Sequence, residues 1–388
     1  YNSDEAVYAG QAAAIAKVPV LHELFPVFRA HPLLFQFTLA VFYKFDNSDF
    51  TGRMVSAAIG VITVALVYVI GRRLYGPRAG LFAAFLMAVM PYHIIPTRQV
   101  LLDGPMALMA TLALFMMVHF AETEKSIWLL ATGICMGLTF LAKETGILMV
   151  GAIYAFLALS PEIKVKIRTI VASLALMVLT MIPFPLSLRL AGGGGQGKTE
   201  QYLIWQLFRR PNHDWDFYLT LVPPAIGIGV ILAAVWGLWV FRSRWSWRER
   251  LLLLWIAVPV AFFQLWPTKG FQYLLPAAVP VAILAGRTLA NWPLRNWRLG
   301  PLKIDRRWVQ IALLIAIVVP IGLKSWETIN PVASDSFLAG SGGVPGGREL
   351  GTWIQAHVPE GANMMTIGPS MSNIVKYYGH RQAYGLSV

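Results

Sequence analysis

The hydrophobic residues of this chain fill long blocks separated by short polar loops, rather than alternating or forming a narrow stripe. A helix needs about 20 apolar residues to cross the hydrocarbon core of a bilayer. Blocks at 53–70, 79–95, 105–121, 126–141, 145–160, 167–188, 219–241, 250–266, 271–286 and 308–323 reach or approach that length and predict ten spans. The block at 33–45 is too short and predicts an interfacial or half-buried helix. Residues 3–17 predict a short amphipathic helix, with Ser3 or Asp4 as candidate caps. After Lys324 the pattern changes. Residues 325–347 read as a Gly/Ser/Pro linker, 348–357 as a helix, 363–367 as a strand and 370–378 as a second helix. That predicts a transmembrane domain over 1–324, in which 1–52 forms a first outer loop, and the start of a soluble α/β domain over 348–388.

Charge orients the spans. Basic residues crowd alternate loops: Arg72, Arg73 and Arg78; Lys125; Lys164, Lys166 and Arg168; Arg242, Arg244, Arg248 and Arg250; and six between Arg287 and Arg307. Such loops face the cytoplasm, and the alternation holds only if 33–45 does not span. The opposite, outer face receives Asp4, Glu5, His31, the loop from Arg98 to Asp103, Lys143-Glu144, residues 189–218, Lys269 and everything after 324. Ionisable groups at helix ends in a membrane protein are costly and commonly functional.

Composition supports the membrane reading: 57% of residues are hydrophobic and 13% charged, with mean hydropathy +0.59, against about 25% charged in soluble domains. The net charge of +13 does not indicate nucleic acid, because it sits in loops between apolar blocks. A single cysteine, Cys135, excludes an intramolecular disulfide. The first residue is Tyr1 rather than Met and the last ones read as mid-domain, so further sequence is expected at both ends, with a signal peptide or, in preference, a membrane helix upstream.

Several motifs carry chemistry. Residues 192–199 match the phosphate-binding pattern G-x-x-x-x-G-K-[ST], but they follow a membrane helix on the outer face, where a flexible glycine loop is the better reading. His22 and His31, with Glu5 or Glu23, are the candidates for a divalent metal, without tight ligand spacing. His31 is otherwise a polar or phosphate contact. Arg98 and Asp103 either close their loop as a salt bridge or bind an anion and a sugar hydroxyl. Lys143 and Lys269 either snorkel or join a phosphate cradle. The tryptophans at 245, 247, 292, 297 and 308 read as interface anchors.

Read in order, these motifs carry a family resemblance. They are Asp4-Glu5-Ala6-x-Tyr8, His31-Pro32-Leu33, Gly52-Arg53-Met54-Val55-Ser56, Gly71 to Gly76, Arg98 with Asp103, Leu141-Ala142-Lys143-Glu144, and Lys269 to Pro276. The chain resembles the GT-C membrane glycosyltransferases, in particular the protein O-mannosyltransferase and aminoarabinose transferase superfamily. The resemblance implies an all-α polytopic membrane protein, with about 11 or more spans once an upstream helix is counted. It also implies transfer of a sugar from a polyprenyl-phosphate carrier to a protein, lipid or glycan acceptor on the extracytoplasmic face. The family's first-loop aspartate maps onto Asp4, with Glu5 beside it, and its second-loop aspartate onto Asp103. Where aminoarabinose transferases have Glu-Lys-Pro, this chain has Ala30-His31-Pro32, which removes a carboxylate that could hold a metal.

A mechanism for these residues has Asp4 taking a proton from the acceptor hydroxyl. Arg53, Arg98, Lys143 and Lys269 are the cations for the leaving phosphate, and His31 and Tyr273 are further substrate contacts. One attack without a covalent intermediate predicts inversion. The rival reading is a transporter or lipid-linked-sugar flippase, for which ionisable groups near the bilayer midplane and repeated halves are expected.

Overall fold

The computed structural model describes residues 1–25, 31–190, 208, 210–292, 297–299, 302–304, 306–329 and 346–386. It is helical nearly throughout. The glycine loop at 192–199 and most of the linker at 325–347 lie outside the described residues.

The chain opens on α1 (Ser3–Ile15), whose cap is neither Ser3 nor Asp4. Asn2 accepts the Glu5 amide, and the Glu5 carboxylate returns the bond to the Asn2 amide at 2.9 Å. This reciprocal capping box satisfies two of the donors that a helix start leaves open. Nor is α1 amphipathic. Ala6, Ala9, Ala12 and Ala13 are wholly buried, so small side chains let neighbours close in on nearly every side. One neighbour is α3 (Leu34–Tyr43), tied to α1 by a buried Gln36–Gln11 hydrogen bond of 3.0 Å. Helix α3 buries Phe35 and Leu39 and exposes Phe37, Val41 and Phe42, as expected of a half-buried helix too short to span. A single turn, α2 (Leu21–Leu24), lies between them.

The membrane body follows. Helix α4 (Asp49–Tyr75) starts at a Ser48 cap and ends at Gly76 with φ +97°. Next come α5 (Pro77–Val89), α6 (Pro91–Thr97), α7 (Asp103–Thr123), α8 (Ser126–Ala142), α9 (Leu148–Leu159), α10 (Ile167–Met181) and α11 (Pro183–Leu190). After residue 209 run α12 (Phe217–Ile226), α13 (Ile228–Val240), α14 (Trp247–Leu265), α15 (Leu275–Asn291) and α16 (Arg306–Ile329). Among the described residues, five helices are long and apolar enough to cross a membrane, and seven if each bent pair counts as one span. The expected spans at 79–95 and 219–241 are these bent pairs. They break by 59° at Met90, before Pro91, and by 90° at Gly227, which holds φ +98°. The blocks at 126–141 and 145–160 form shorter apolar helices, so ten full-length spans are not what length alone gives.

Helix α15 is the axis of the bundle, with 89% of its apolar window buried, against 17% for the stretch through α10 and α11 and 11% for α16. The outer faces of α16 leave Ile311, Ile315, Val319 and Leu323 exposed. Apolar surface on that scale is stable only against lipid or a partner. Packing around the axis depends on small residues. A Cβ on Gly80 of α5 would sit 2.5 Å from the Tyr68 carbonyl oxygen of α4, and one on Gly286 of α15 would sit 2.6 Å from the Ala79 carbonyl oxygen. Close backbone approach of this kind is how membrane helices gain packing energy. Gly80→Ala is therefore expected to cost about 1–3 kcal/mol, measured as a lower unfolding temperature in detergent. Gly322→Ala, where a Cβ meets nothing within 4 Å, is the control expected to change little.

At the basic end of the bundle, Arg287 bonds Glu249 at 2.5 Å and Tyr75 donates to the same carboxylate at 2.9 Å. That buried cluster joins the ends of α4 and α15 to the start of α14. The basic loop beyond α15 contains an unforeseen antiparallel pair, β1 (Trp297–Leu299) with β2 (Leu302–Ile304).

Helix α16 runs past the expected boundary at 324 to Ile329. Beyond it, α17 (Gly347–His357), β3 (Asn363–Ile367), α18 (Pro369–Gly379) and β4 (Gln382–Leu386) form a unit in which β3 pairs in parallel with β4. Helix α18 docks on α1. Ile374 and Tyr377 are buried in the same cluster as Ala6, Phe25 and Phe35. Tyr378 donates to Asp49 at 2.6 Å. The α/β unit and the first loop thus make one cap over the end of the bundle where α4 and α7 begin.

Candidate active site

Under that cap lies a cavity of about 440 Å³. Helix ends from one side of the bundle build it. The first turns of α1 supply Asp4 and Tyr8, and the segment before α3 supplies His31. The start of α7 supplies Asp103. The end of α8 supplies Phe140 and Lys143, and a 3-10 turn (Glu144–Ile147) supplies Glu144 and Thr145. The end of α14 adds Phe262, Phe263 and Trp266, and the turn Phe271–Leu274 adds Gln272 and Tyr273. Because α7 and α8 are antiparallel neighbours, the first residue of one and the residue after the other fall at the same level. That is why residues 40 positions apart in sequence meet, with Lys143 Nζ 2.7 Å from Asp103 Oδ1.

The polar wall is a chain of paired charges. Lys143 and Asp103 are both almost fully buried, and the ammonium also lies 4.7 Å from the Tyr273 ring centroid. Tyr273 is itself located by the turn before α15, where Tyr92 of α6 donates to the Phe271 carbonyl oxygen at 2.7 Å. His31 Nδ1 lies 3.0 and 2.9 Å from the two Glu144 oxygens. Burial pulls the His31 pKa down, but the Glu144 carboxylate more than offsets it and holds the imidazole above its usual value. The opposite wall is apolar and aromatic: Phe140 faces Phe184, and Phe262 stacks on Trp266 at 5.0 Å. The arrangement can hold an anionic head beside the cations and a hydrocarbon tail against the rings.

Of the nine residues singled out from sequence, Asp4, His31, Asp103, Lys143 and Tyr273 line this cavity. Four do not. Glu5 is buried and accepts from the Asn2 amide, from Arg53 Nε and Nη2 at 3.1 and 2.9 Å, and from the Val100 amide at 3.1 Å. Burial pushes its pKa up, but the Arg53 bonds outweigh that and hold it below the usual carboxylate value. Glu5 and Arg53 therefore bolt α1 to α4 and to the loop before α7. Arg98 donates to the Thr328 carbonyl oxygen at 3.4 Å, and the partner of Asp103 is Lys143 rather than Arg98. Lys269 is pinned through its backbone by Asn212 and lies 5.7 Å from the Trp215 ring. A wider hollow of about 550 Å³ is lined by Pro211, Asn212, His213, Asp214, Asp216, Phe217, Thr220 and Leu221. It shares no residue with the charged cavity.

The metal candidates do not converge. His22 pairs with Glu23 at 3.7 Å on the surface, His31 pairs with Glu144, and Glu5 pairs with Arg53. Among the described residues no group of three or more His, Cys, Asp or Glu is placed to hold an ion. Sequence reasoning missed Phe140, Phe184, Phe262, Phe263 and Trp266. In an apolar block, an aromatic that lines a cavity reads the same as one that faces lipid.

Three comparisons bear on this architecture. The family model for dolichyl-phosphate-mannose-protein mannosyltransferase matches residues 30–188. That span includes His31, Asp103, Lys143 and Glu144. Undecaprenyl phosphate-alpha-4-amino-4-deoxy-L-arabinose arabinosyl transferase 1 of Pseudomonas fluorescens strain Pf0-1 is 34% identical over 83 residues, and its counterpart in strain ATCC BAA-477 / NRRL B-23932 / Pf-5 is 36% identical over the same length. Each match covers 20% of this chain and 14% of the relative's own length. Among solved structures, apo ArnT from Cupriavidus metallidurans has a TM-score of 0.73 at 16% identity, covering 99% of this chain and 81% of that one. The same protein bound to undecaprenyl phosphate gives 0.71 at 15% identity, with the same coverage. The oligosaccharyltransferase AglB from Archaeoglobus fulgidus, with an inhibitory peptide and a dolichol-phosphate, gives 0.59 at 13% identity over 98% of this chain and 60% of that one.

Proposed function

We propose that this chain, a multi-pass membrane protein of the GT-C glycosyltransferase superfamily, moves a sugar from a polyprenyl-phosphate carrier to an acceptor hydroxyl on the extracytoplasmic face. One observation carries the reading: a cavity at the helix ends holds Asp4, Asp103, Glu144, His31 and Lys143 against a wall of Phe140, Phe184, Phe262, Phe263 and Trp266. Carboxylates are the groups that deprotonate a hydroxyl, buried cations stabilise a departing phosphate, and the ring-lined side suits an isoprenoid. Asp4 is the base, Lys143 and His31 face the phosphate, and Asp103 orients Lys143. Phosphate is already a good leaving group, so the reaction needs no carboxylic acid to protonate it, unlike glycoside hydrolysis. A single displacement inverts the anomeric centre.

The bent pairs, α5 with α6 and α12 with α13, are a feature shared with transporters. The transporter reading is weaker because the ionisable cluster gathers at helix ends rather than along the midplane. The deciding experiment incubates the protein in nanodiscs with a panel of labelled polyprenyl-phosphate sugars and acceptors, with and without chelator. Release of polyprenyl phosphate together with an inverted product supports the assignment. Carrier binding with no release to any acceptor or to water transfers support to a flippase.

A further inference from the structure

Two basic side chains stand among the described residues that line the cavity, and they are not equivalent. Lys143 is 8% exposed, bonded to Asp103 and set against Tyr273. The His31 side chain is 24% exposed and bonded to Glu144 through Nδ1. We propose that Glu144 is a positioning residue: its carboxylate fixes the His31 ring by Nδ1, so that the opposite nitrogen, Nε2, presents a charged N–H to the phosphate of the lipid carrier.

This deepens the reading under Proposed function and rests on it. The geometry is that of a carboxylate behind an imidazole, where the bond at one ring nitrogen sets both the orientation and the charge of the other. Glu144 can do this because the 3-10 turn starts immediately after Lys143, so one turn of chain places a cation-orienting carboxylate and a phosphate-side cation together. Among the described residues, charged or titratable groups that act on the ring beside Glu144 include Asp4 and Tyr8 on α1 and Lys143 at the end of α8. Asp4 favours the charged ring and Lys143 opposes it, while Glu144 is the group at 2.9 Å.

The sign follows. A protonated ring attracts phosphate, so the part of carrier affinity that His31 contributes is present below the His31 pKa and is lost as pH rises through it, whereas the carrier phosphate gains its second charge at about pH 6 in every variant alike. Removing the Glu144 charge lowers that pKa, so Glu144→Gln loses affinity at lower pH than the wild type. Each unit of pKa lost costs up to about tenfold in the charged fraction at a fixed pH above the midpoint. Glu144→Asp, which keeps the charge, restores most of the midpoint.

The test titrates the full chain in nanodiscs with undecaprenyl phosphate from about pH 5 to pH 8. It compares wild type, Glu144→Gln, Glu144→Asp and His31→Gln. The expected results are a downward midpoint shift in Glu144→Gln and, in His31→Gln, weak binding that keeps only the pH dependence of the carrier phosphate, whose second ionisation falls at about pH 6. An unmoved midpoint in Glu144→Gln overturns the proposal. So does wild-type pH dependence surviving in His31→Gln, which also decides the matter should Glu144→Gln fail to fold. A wild type that does not bind the carrier overturns it too. Wild-type protein that shows this pH-dependent binding yet transfers no sugar would sink the transferase reading and leave the Glu144 role standing.

Discussion

Asp4→Asn is expected to reduce sugar transfer by about 10²–10⁴-fold, the range that general-base catalysis contributes, without unfolding α1. The local structure separates these two effects. The capping duties at the start of α1 belong to Asn2 and Glu5, and the ion pair that ties α1 to α4 belongs to Glu5 and Arg53. Asp4 carries neither, and it lines the cavity from the first turn of the helix. Asparagine keeps the size and hydrogen-bonding capacity of the side chain but cannot accept a proton from a sugar or serine hydroxyl. Carrier binding should therefore persist while turnover collapses. Glu5→Gln is the matched contrast. It weakens a charge-assisted pair and the bond to the Val100 amide, so it should lower the unfolding temperature more than it lowers turnover per folded molecule. Turnover near the wild-type rate in Asp4→Asn would remove Asp4 from the mechanism.

How far this was legible in the sequence depends on which physical signal each residue leaves. The helical membrane body was legible because lipid demands long apolar blocks. The positions of Asp103 and Lys143 at helix ends followed from the same blocks. Their pairing did not, since nothing local in the sequence links a residue in one loop to another 40 positions away. Arg98 was the nearer cation in sequence, but it turns to Thr328 on α16. Asp4 and Glu5 were indistinguishable as adjacent carboxylates. Helix geometry separates them: consecutive residues on a helix point about 100° apart, so one reaches the cavity and the other is buried against Arg53. The breaks at Met90 and Gly227 left only weak traces in Pro91 and a single glycine. In membrane helices, proline and glycine are common without such breaks.

The second large effect is expected at the Lys143–Asp103 pair, where stability and activity should separate. Lys143→Met strands the Asp103 carboxylate in a site 3% exposed. Breaking one side of a buried pair costs about 3–5 kcal/mol, because the remaining charge is uncompensated. The variant should unfold at markedly lower temperature in detergent and lose transfer. Asp103→Asn leaves the ammonium with an amide acceptor and the Tyr273 ring at 4.7 Å, so its stability loss should be smaller. In the double variant, Asp103→Asn with Lys143→Met, no buried charge remains. Replacement of a buried ion pair by neutral groups is often neutral or stabilising, so thermal stability should return toward wild type. Transfer should not return, because the cation proposed to face the leaving phosphate is gone. Unfolding curves and turnover measured on the same four preparations check this. Additive stability losses would mean that the two groups do not act as a pair, and transfer by the double variant would mean that the pair only holds the fold. Recovery of stability without activity would show that the cavity keeps a costly buried pair for its chemistry.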